Sequence, residues 1–342
     1  MQSRAQSGQG AGWGLALASS ACFSTSGSFA TPLIHAGWSP GAAVAARVSI
    51  AGLLLAVPAA VSLRGRWGVL RRNLGLVAAY GLVAVAGCQL FYFNALSTLT
   101  VGVALLLEYL GMLMVVAWLW VRHHQRPRRL TILGSALAVG GLVLVLDVFG
   151  GVVHVDLVGV LWGLAAAVGL AAYFVLSSHA SGGLPPLALA CGGLLVAAVA
   201  LLLLGLFGAM PLHASTGDVF LAGRQFAWWV PILGLSVIAA ALAYAAGVVG
   251  MRILGPKLGS FVSLAEVLFA VLFAWILLGQ LPALVQLAGG ALIVGGVALV
   301  RADEMRGGGR ARRRGEPQAV TEALVPSPLV TPASPATPAS NS

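Results

Sequence analysis

The chain has 342 residues, 59% of them hydrophobic and 8% charged, with a formal net charge of +10. Soluble domains carry about a quarter charged residues, so a mean hydropathy of +0.98 excludes a large soluble domain and points to an integral membrane protein. The positive charge is spread over short segments between apolar runs, which excludes a nucleic-acid groove.

Apolar runs near the ~20 residues needed to cross hydrocarbon fall at 13–35, 40–61, 74–96, 99–121, 130–148, 157–178, 187–208, 228–250, 258–279 and 283–300. They are long and do not alternate, which excludes barrel strands. The first run exceeds a signal-peptide core of about 7–15 residues, and no A-x-A-like site follows it cleanly. It is therefore expected to stay as a helix.

That first run carries Ser19, Ser20, Ser24, Thr25, Ser26, Ser28 and Thr31. Ser20, Ser24, Ser28 and Thr31 step by four, four and three, so they share one face of a helix. A whole polar stripe suits a solute cavity. The alternative is hydroxyls that bond their own helix or glue neighbouring ones. Gly27 beside the stripe permits close approach, and Pro32 breaks its far end.

Arg47, in the second run, has no acid beside it in sequence. Snorkelling to the interface or structural pairing with Glu108 is the expectation, with a substrate carboxylate as the other choice. The third run offers Gln89, Tyr92 and Asn94. The fourth and ninth carry the only acids deep in apolar sequence, Glu108 and Glu266. A central acid costs about 2.5–3.5 kcal/mol on insertion scales. Each is a candidate to bind a substrate amine or carry a proton, or else to pin helices as a matched structural pair. In the sixth run Gly169, Tyr173 and Ser177 occupy the positions of the hydroxyl stripe. Tyr244 and Ser263 complete the candidates, and Ser263 shares a face with Glu266.

Cys22, Cys88 and Cys191 lie in different runs without ligand spacing and read as packing residues. His123 and His124 lack a third ligand, so no metal and no cofactor is expected. Gly134 with Gly141, and Gly289 with Gly296, are seven apart and suit close helix packing. Trp118, Trp120, Trp228 and Trp229 sit at run ends as interfacial anchors.

Of the 19 Lys and Arg, 17 fall on one side of a ten-helix weave, and the opposite connections hold only Arg224. The positive-inside bias places both termini in the cytoplasm, and for a bacterial host the chain is expected in the cell's inner (cytoplasmic) membrane. Residues 1–11 form an N-terminal tail. Residues 302–342 form a basic and then Pro/Ala/Ser/Thr-rich tail, expected to be disordered. The basic part is expected to touch anionic lipid.

The sequence repeats itself. "LAVGGLVLV" at 137–145 returns as "LIVGGVALV" at 292–300, and a helix with one central glutamate precedes each. Trp13-Gly14 likewise matches Trp162-Gly163. The repeats span 12–148 and 156–301. Five helices per repeat is odd, so the second inserts inverted, as in secondary transporters with a midplane site. The expected fold is an all-α integral membrane protein of ten transmembrane helices in two inverted five-helix repeats.

The stretch "GMRILGPKLGSFVSLAEVLFAVLFAWILLGQLPALVQLAGGALIVGGVALV" at 250–300 resembles the end of an EamA domain of the drug/metabolite transporter superfamily. "NALSTLTVGVALLLEYLGMLMVVAWLWV" at 94–121 is similar to it in the first half. Val267 and Gln280 stand where that family often has Pro and Glu. The resemblance implies a central cavity, with transport of amino acids, nucleotide sugars, other small metabolites or drugs. It implies export as the common direction among bacterial relatives.

The expected function is a secondary transporter working by alternating access, with a small-molecule solute and the lipid bilayer as partners. Oligomeric state cannot be read from the sequence. Ser20, Ser24, Ser28, Tyr92, Glu108, Tyr173, Ser177, Tyr244, Ser263 and Glu266 are the expected solute contacts. Glu108 and Glu266 are the expected proton carriers. No G-x-x-x-x-G-K-[ST] motif supplies an ATP engine. An intramembrane enzyme or a non-transporting sensor or scaffold is the rival. The enzyme lacks a zinc-hydrolase motif here: no H-E-x-x-H occurs.

Overall fold

The computed structural model of the chain describes residues 2–123, 129–145, 156–179 and 183–314. Its elements run α1 (Gln2–His35), α2 (Pro40–Ser62), α3 (Trp67–Arg72), α4 (Leu74–Ala79), a π-helical segment π1 (Tyr80–Gly87) and α5 (Cys88–Ala95). Next come α6 (Val101–Tyr109), α7 (Gly111–His123), α8 (Arg129–Val145), α9 (Leu157–His179) and α10 (Pro186–Leu206). A hairpin of β1 (Val219–Leu221) and β2 (Arg224–Phe226) precedes α11 (Trp229–Leu233), a second π segment π2 (Gly234–Leu242), α12 (Ala243–Val262), α13 (Ala265–Leu278) and α14 (Leu284–Arg314).

Among the described residues, six helical stretches are long and apolar enough to cross a membrane: Pro40–Ser62, Leu74–Ala95, Val101–Trp118, Leu157–Ser177, Pro186–Leu206 and Trp229–Gly250. Arg129–Val145, Ala265–Leu278 and Leu284–Val300 are shorter apolar helices. The hydroxyl run of α1 dilutes its apolar character. Large apolar side chains face outward along these rods, among them Leu53, Val57, Leu161 and Leu206. Lipid accepts such a surface and water does not. The interior is mostly apolar, but the hydroxyls of Ser19 to Thr31 are buried within it.

Glycines set the helix spacing. A Cβ on Gly141 would lie 2.5 Å from the Gly289 carbonyl oxygen, and one on Gly289 would lie 2.6 Å from that of Gly141. Gly134 and Gly296 meet in the same reciprocal way. The pairing is antiparallel, and Thr131 Oγ1 donates to Asp303 Oδ2 at 2.7 Å at the end of the seam. Along α1, Gly250 of α12 packs on Ala16 and Gly247 on Ser19.

Three helix limits differ from the sequence expectation. The first helix begins at Gln2, ahead of residue 13, and the last runs on to Arg314, past residue 300. Ala-Asp-Glu-Met-Arg at 302–306 are residues a helix tolerates well apart from the Asp. Residues 315–342 of the expected tail lie outside the described residues. The connection expected at 251–257 is helical within α12. Even so, Ser19 Oγ donates to the Ala243 carbonyl and Ser20 Oγ to that of Val262. A straight helix would hold those carbonyls roughly 28 Å apart. The chain therefore doubles back inside α12, while packing on α1 keeps it helical near Gly250.

The hairpin turns at Ala222 and Gly223, with φ of 51° and 75°. Two residues in the left-handed region match the right-handed twist of the flanking strands. Ala222 N–H donates to the Leu277 carbonyl at 2.9 Å, which seats the hairpin tip on the end of α13.

Substituting Gly141→Val should force α8 and α14 apart and lower the thermal midpoint of the purified protein. Overpacking of this kind costs about 1–3 kcal/mol. Gly140→Val meets open space and should leave the midpoint near wild type. Equal falls in detergent melting curves would remove the backbone seam as the cause.

Candidate functional site: a tyrosine-lined cavity

A cavity of ≈ 740 Å³ lies between α1, α2, π1, α5, α6, α9, α12 and α13. Ligand pockets span about 300–1,000 Å³. Ser20, Ser24, Tyr92, Glu108, Tyr173, Ser177, Tyr244, Ser263 and Glu266 all line it. Ser28 does not: it is fully buried beyond the cavity's end. Gly169 packs its backbone on Cys88 and stays off the wall.

The hydroxyls of Ser19, Ser20, Ser24, Thr25 and Ser26 have three fates. Ser19 and Ser20 bond α12 carbonyls at 2.8 and 3.2 Å. Ser24 and Thr25 bond back to the carbonyls of Ala21 and Cys22 at 2.6 and 2.7 Å. Ser26 accepts from Arg47. Helix glue, back-bonding and cavity lining therefore coexist on one helix.

Arg47 departs from the snorkelling expectation. It is 3% exposed and its guanidinium points inward. Nη1 donates to Ser26 Oγ at 2.7 Å and to Gln89 Oε1, and Nη2 to the Ala239 carbonyl at 2.9 Å. The guanidinium also lies 5.8 Å from the Phe93 ring centroid, a cation–π contact. One side chain thus ties α1, α2, α5 and π2 at the cavity wall. The planar fork of arginine suits this, because it offers five donors in fixed directions. In π2 the widened turn leaves a carbonyl for it, and π segments often mark functional sites. Each π segment lies one helix ahead of a central glutamate, in both halves of the chain.

Glu108 Oε1 accepts from the Cys88 thiol at 3.3 Å. The Tyr109 hydroxyl lies 3.0 Å from Glu266 Oε2 and 2.8 Å from the Ser263 carbonyl, and shares its proton between them. Cys88, read from sequence as packing, is thus a carboxyl partner. The Glu108 carboxyl and its neighbour Tyr109 reach the same cavity from the last turn of α6.

Sequence reasoning missed Tyr80 and Tyr109. The signal was available in the count: the chain has five tyrosines, and Tyr80, Tyr92, Tyr109, Tyr173 and Tyr244 all line this one cavity. Their rings cluster, with Tyr80 and Tyr173 centroids 5.7 Å apart and Phe23 edge-on to Tyr244 at 4.9 Å. Asn94, a weaker candidate, bonds its own helix at Leu90 and lies off the cavity.

Removing the guanidinium with Arg47→Ala should strand Gln89 and the Ala239 carbonyl. Buried orphans of this kind cost about 1–3 kcal/mol each, so the melting midpoint should fall by several degrees. Arg47→Lys keeps the charge but loses the fork and should fall part-way. A midpoint unchanged in both would show that the four-helix tie contributes nothing to stability.

Two stretches of the chain, residues 10–147 and 157–302, match the model of the EamA-like transporter family. An uncharacterized transporter of Archaeoglobus fulgidus is 27% identical over 229 residues, covering 67% of this chain and 76% of that protein. One crystal structure superposes with a TM-score of 0.58 at 22% identity, over 86% of this chain and 98% of that one, which shows a shared fold. With the family model matched twice and over most of its length, the chain belongs to the EamA-like transporter family.

Proposed function

We propose that the protein is a secondary transporter of a small organic solute that carries an amine and an apolar or aromatic body, such as an amino acid, a related metabolite or a drug. The observation that carries this is the convergence of all five tyrosines and both deep glutamates on one cavity. Tyrosine faces attract cations and stack on rings. Carboxylates supply the counter-charge for an ammonium. Arg47 is already held by three protein groups, so it balances the glutamates rather than serving as the main anion hook.

The protein spans the inner (cytoplasmic) membrane with ten helices, as two inverted five-helix repeats, and both termini face the cytoplasm. The matched family stretches, the paired π segments and the reciprocal glycine seam support the duplication. The basic connections support the orientation. Along α1 the cavity runs from Ala16 to Ser26 and goes no further, so this state is open toward the N-terminal end of α1. On that orientation solute loads from the cytoplasm and leaves outward by alternating access. Glu108 and Glu266 exchange the solute for protons, since each carboxyl has a donor that can hold it through the change.

The test is flux of radiolabelled phenethylamine and phenylalanine in proteoliposomes under an imposed pH gradient. Wild-type protein should move at least one of them, and Glu108→Gln or Glu266→Gln should lower pH-driven flux by roughly tenfold or more. Unchanged coupling in both variants would strip the glutamates of the proton role. Absence of flux in wild type would remove aromatic amines as the solute class.

A further inference from the structure

The hydroxyl stripe of α1 outlasts the cavity. Ser20, Ser24 and Ser26 line it, while Ser28 and Thr31 lie farther along the same helix. Ser28 is 0% and Thr31 3% exposed. Among the described residues, four buried polar atoms have no hydrogen-bond partner: Ser28 Oγ, Thr31 Oγ1, Ser236 Oγ and Arg47 Nε. Native interiors contain few such orphans, and each calls for a cause. These four belong to α1, α2 and π2, three elements packed on one another. They are not scattered through the molecule.

A second pocket of ≈ 620 Å³ begins where the orphans end. Thr31 and His35 of α1, Asp218, the hairpin tip at Ala222 and Gly223, and Gln280 line it. The first cavity stops at Ser26 and this pocket starts at Thr31, a gap of about 7.5 Å along the helix axis. Between them the chain is shut at Gly27. A Cβ there would lie 2.7 Å from the Tyr92 hydroxyl and against the Val101 side chain.

We infer that the second pocket is the outer mouth of the solute path, and that Ser28, Thr31 and Ser236 line the closed half-channel joining it to the tyrosine cavity. The inference rests on the transporter reading and deepens it. The orphaned hydroxyls are unpartnered in this state because their partner is the passing solute or its water in the other state. The outer mouth takes the same amine-bearing solute. Asp218 and the carbonyl-bearing ends of α1 and α13 converge there, and helix C-termini favour cations. The β1–β2 hairpin is the lid, fastened to α13 by the Ala222–Leu277 backbone bond.

Cysteine labelling tests this without needing flux. In protein whose three native cysteines are replaced, Ser28→Cys and, separately, Thr31→Cys are reconstituted and exposed to a membrane-impermeant maleimide from either face. Both thiols should label from the hairpin face, Thr31→Cys the faster. A disulfide between Ala222→Cys and Leu277→Cys should slow Ser28→Cys labelling by roughly tenfold or more, and reduction should restore it. Labelling of Ser28→Cys only from the face bearing the termini, no labelling of either thiol, or rates indifferent to the lid disulfide would overturn the inference. If phenethylamine and phenylalanine do not move yet the labelling pattern holds, the solute reading fails and the path stands. If they move and the pattern fails, the path alone is wrong.

Discussion

A guanidinium buried in a mostly apolar bundle is the constraint around which the interior is arranged. Isolated burial of such a charge is prohibitive, so it must be met by fixed acceptors. Arg47 finds them on three other helices: a hydroxyl, an amide oxygen and a main-chain carbonyl. Those partners fix where α1, α5 and π2 sit relative to α2. That placement decides where the cavity lies, and the cavity brings Glu108 and Glu266 within reach of the cation's field. The carboxyls in turn take one donor each, Cys88 and Tyr109. Remove the guanidinium and the polar groups facing it would have neither a geometry nor a charge to balance.

The apolar shell was legible because the bilayer demands it. Long unbroken runs and a repeated glutamate helix are linear patterns, and they return as apolar helices and a duplicated family match, while the basic connection expected at 251–257 is helix. Most of the site was legible for a related reason. Hydroxyls, tyrosines and acids are rare enough in such a sequence that a stripe or a lone glutamate stands out. Of the two fates expected of Arg47, snorkelling fails and a structural role holds, but nothing near it in sequence announces Gln89, Ser26 or Ala239 as its partners. Tyr109 was hidden by its neighbour. Residues 108 and 109 point about 100° apart on a helix, so a single-face reading takes one and leaves the other, while a cavity this wide takes both. Cys88 looked inert because a thiol's partner across the fold leaves no trace in spacing. The reversal inside α12 shows the opposite failure: a connection was expected between the runs 228–250 and 258–279, and the chain does reverse, but the backbone stays helical through it.

The two pockets are bounded by different contacts. Toward the N-terminal end of α1, side chains line an open cavity. Toward the other end the closure is mostly main chain. Val101 N–H, at a helix start where Thr100 provides no side-chain cap, is capped instead by Gln280 Oε1 at 3.2 Å. Ala222 N–H closes on Leu277, and Trp38 Nε1 donates to the Ser215 carbonyl at 2.8 Å. Gln280 thus joins the end of the Glu266 helix to the start of the Glu108 helix. A neutral amide makes that join without adding charge where the sequence family often has an acid.

Such a closure is weak enough to open. A hydrogen bond contributes about 1 kcal/mol net, so on the proposed path these three would hold that end shut by only a few kcal/mol. That is the size of gap at which a minor state is populated at roughly 0.1–10% and a ligand can reverse the balance. The orphaned Ser28, Thr31 and Ser236 hydroxyls subtract from the same sum, because the closed state forgoes bonds that an open, filled path would make. A bundle with every hydroxyl satisfied would be more stable and would stay shut. On the proposed path, the unsatisfied ones would keep the closed state only marginally preferred, as alternating access requires.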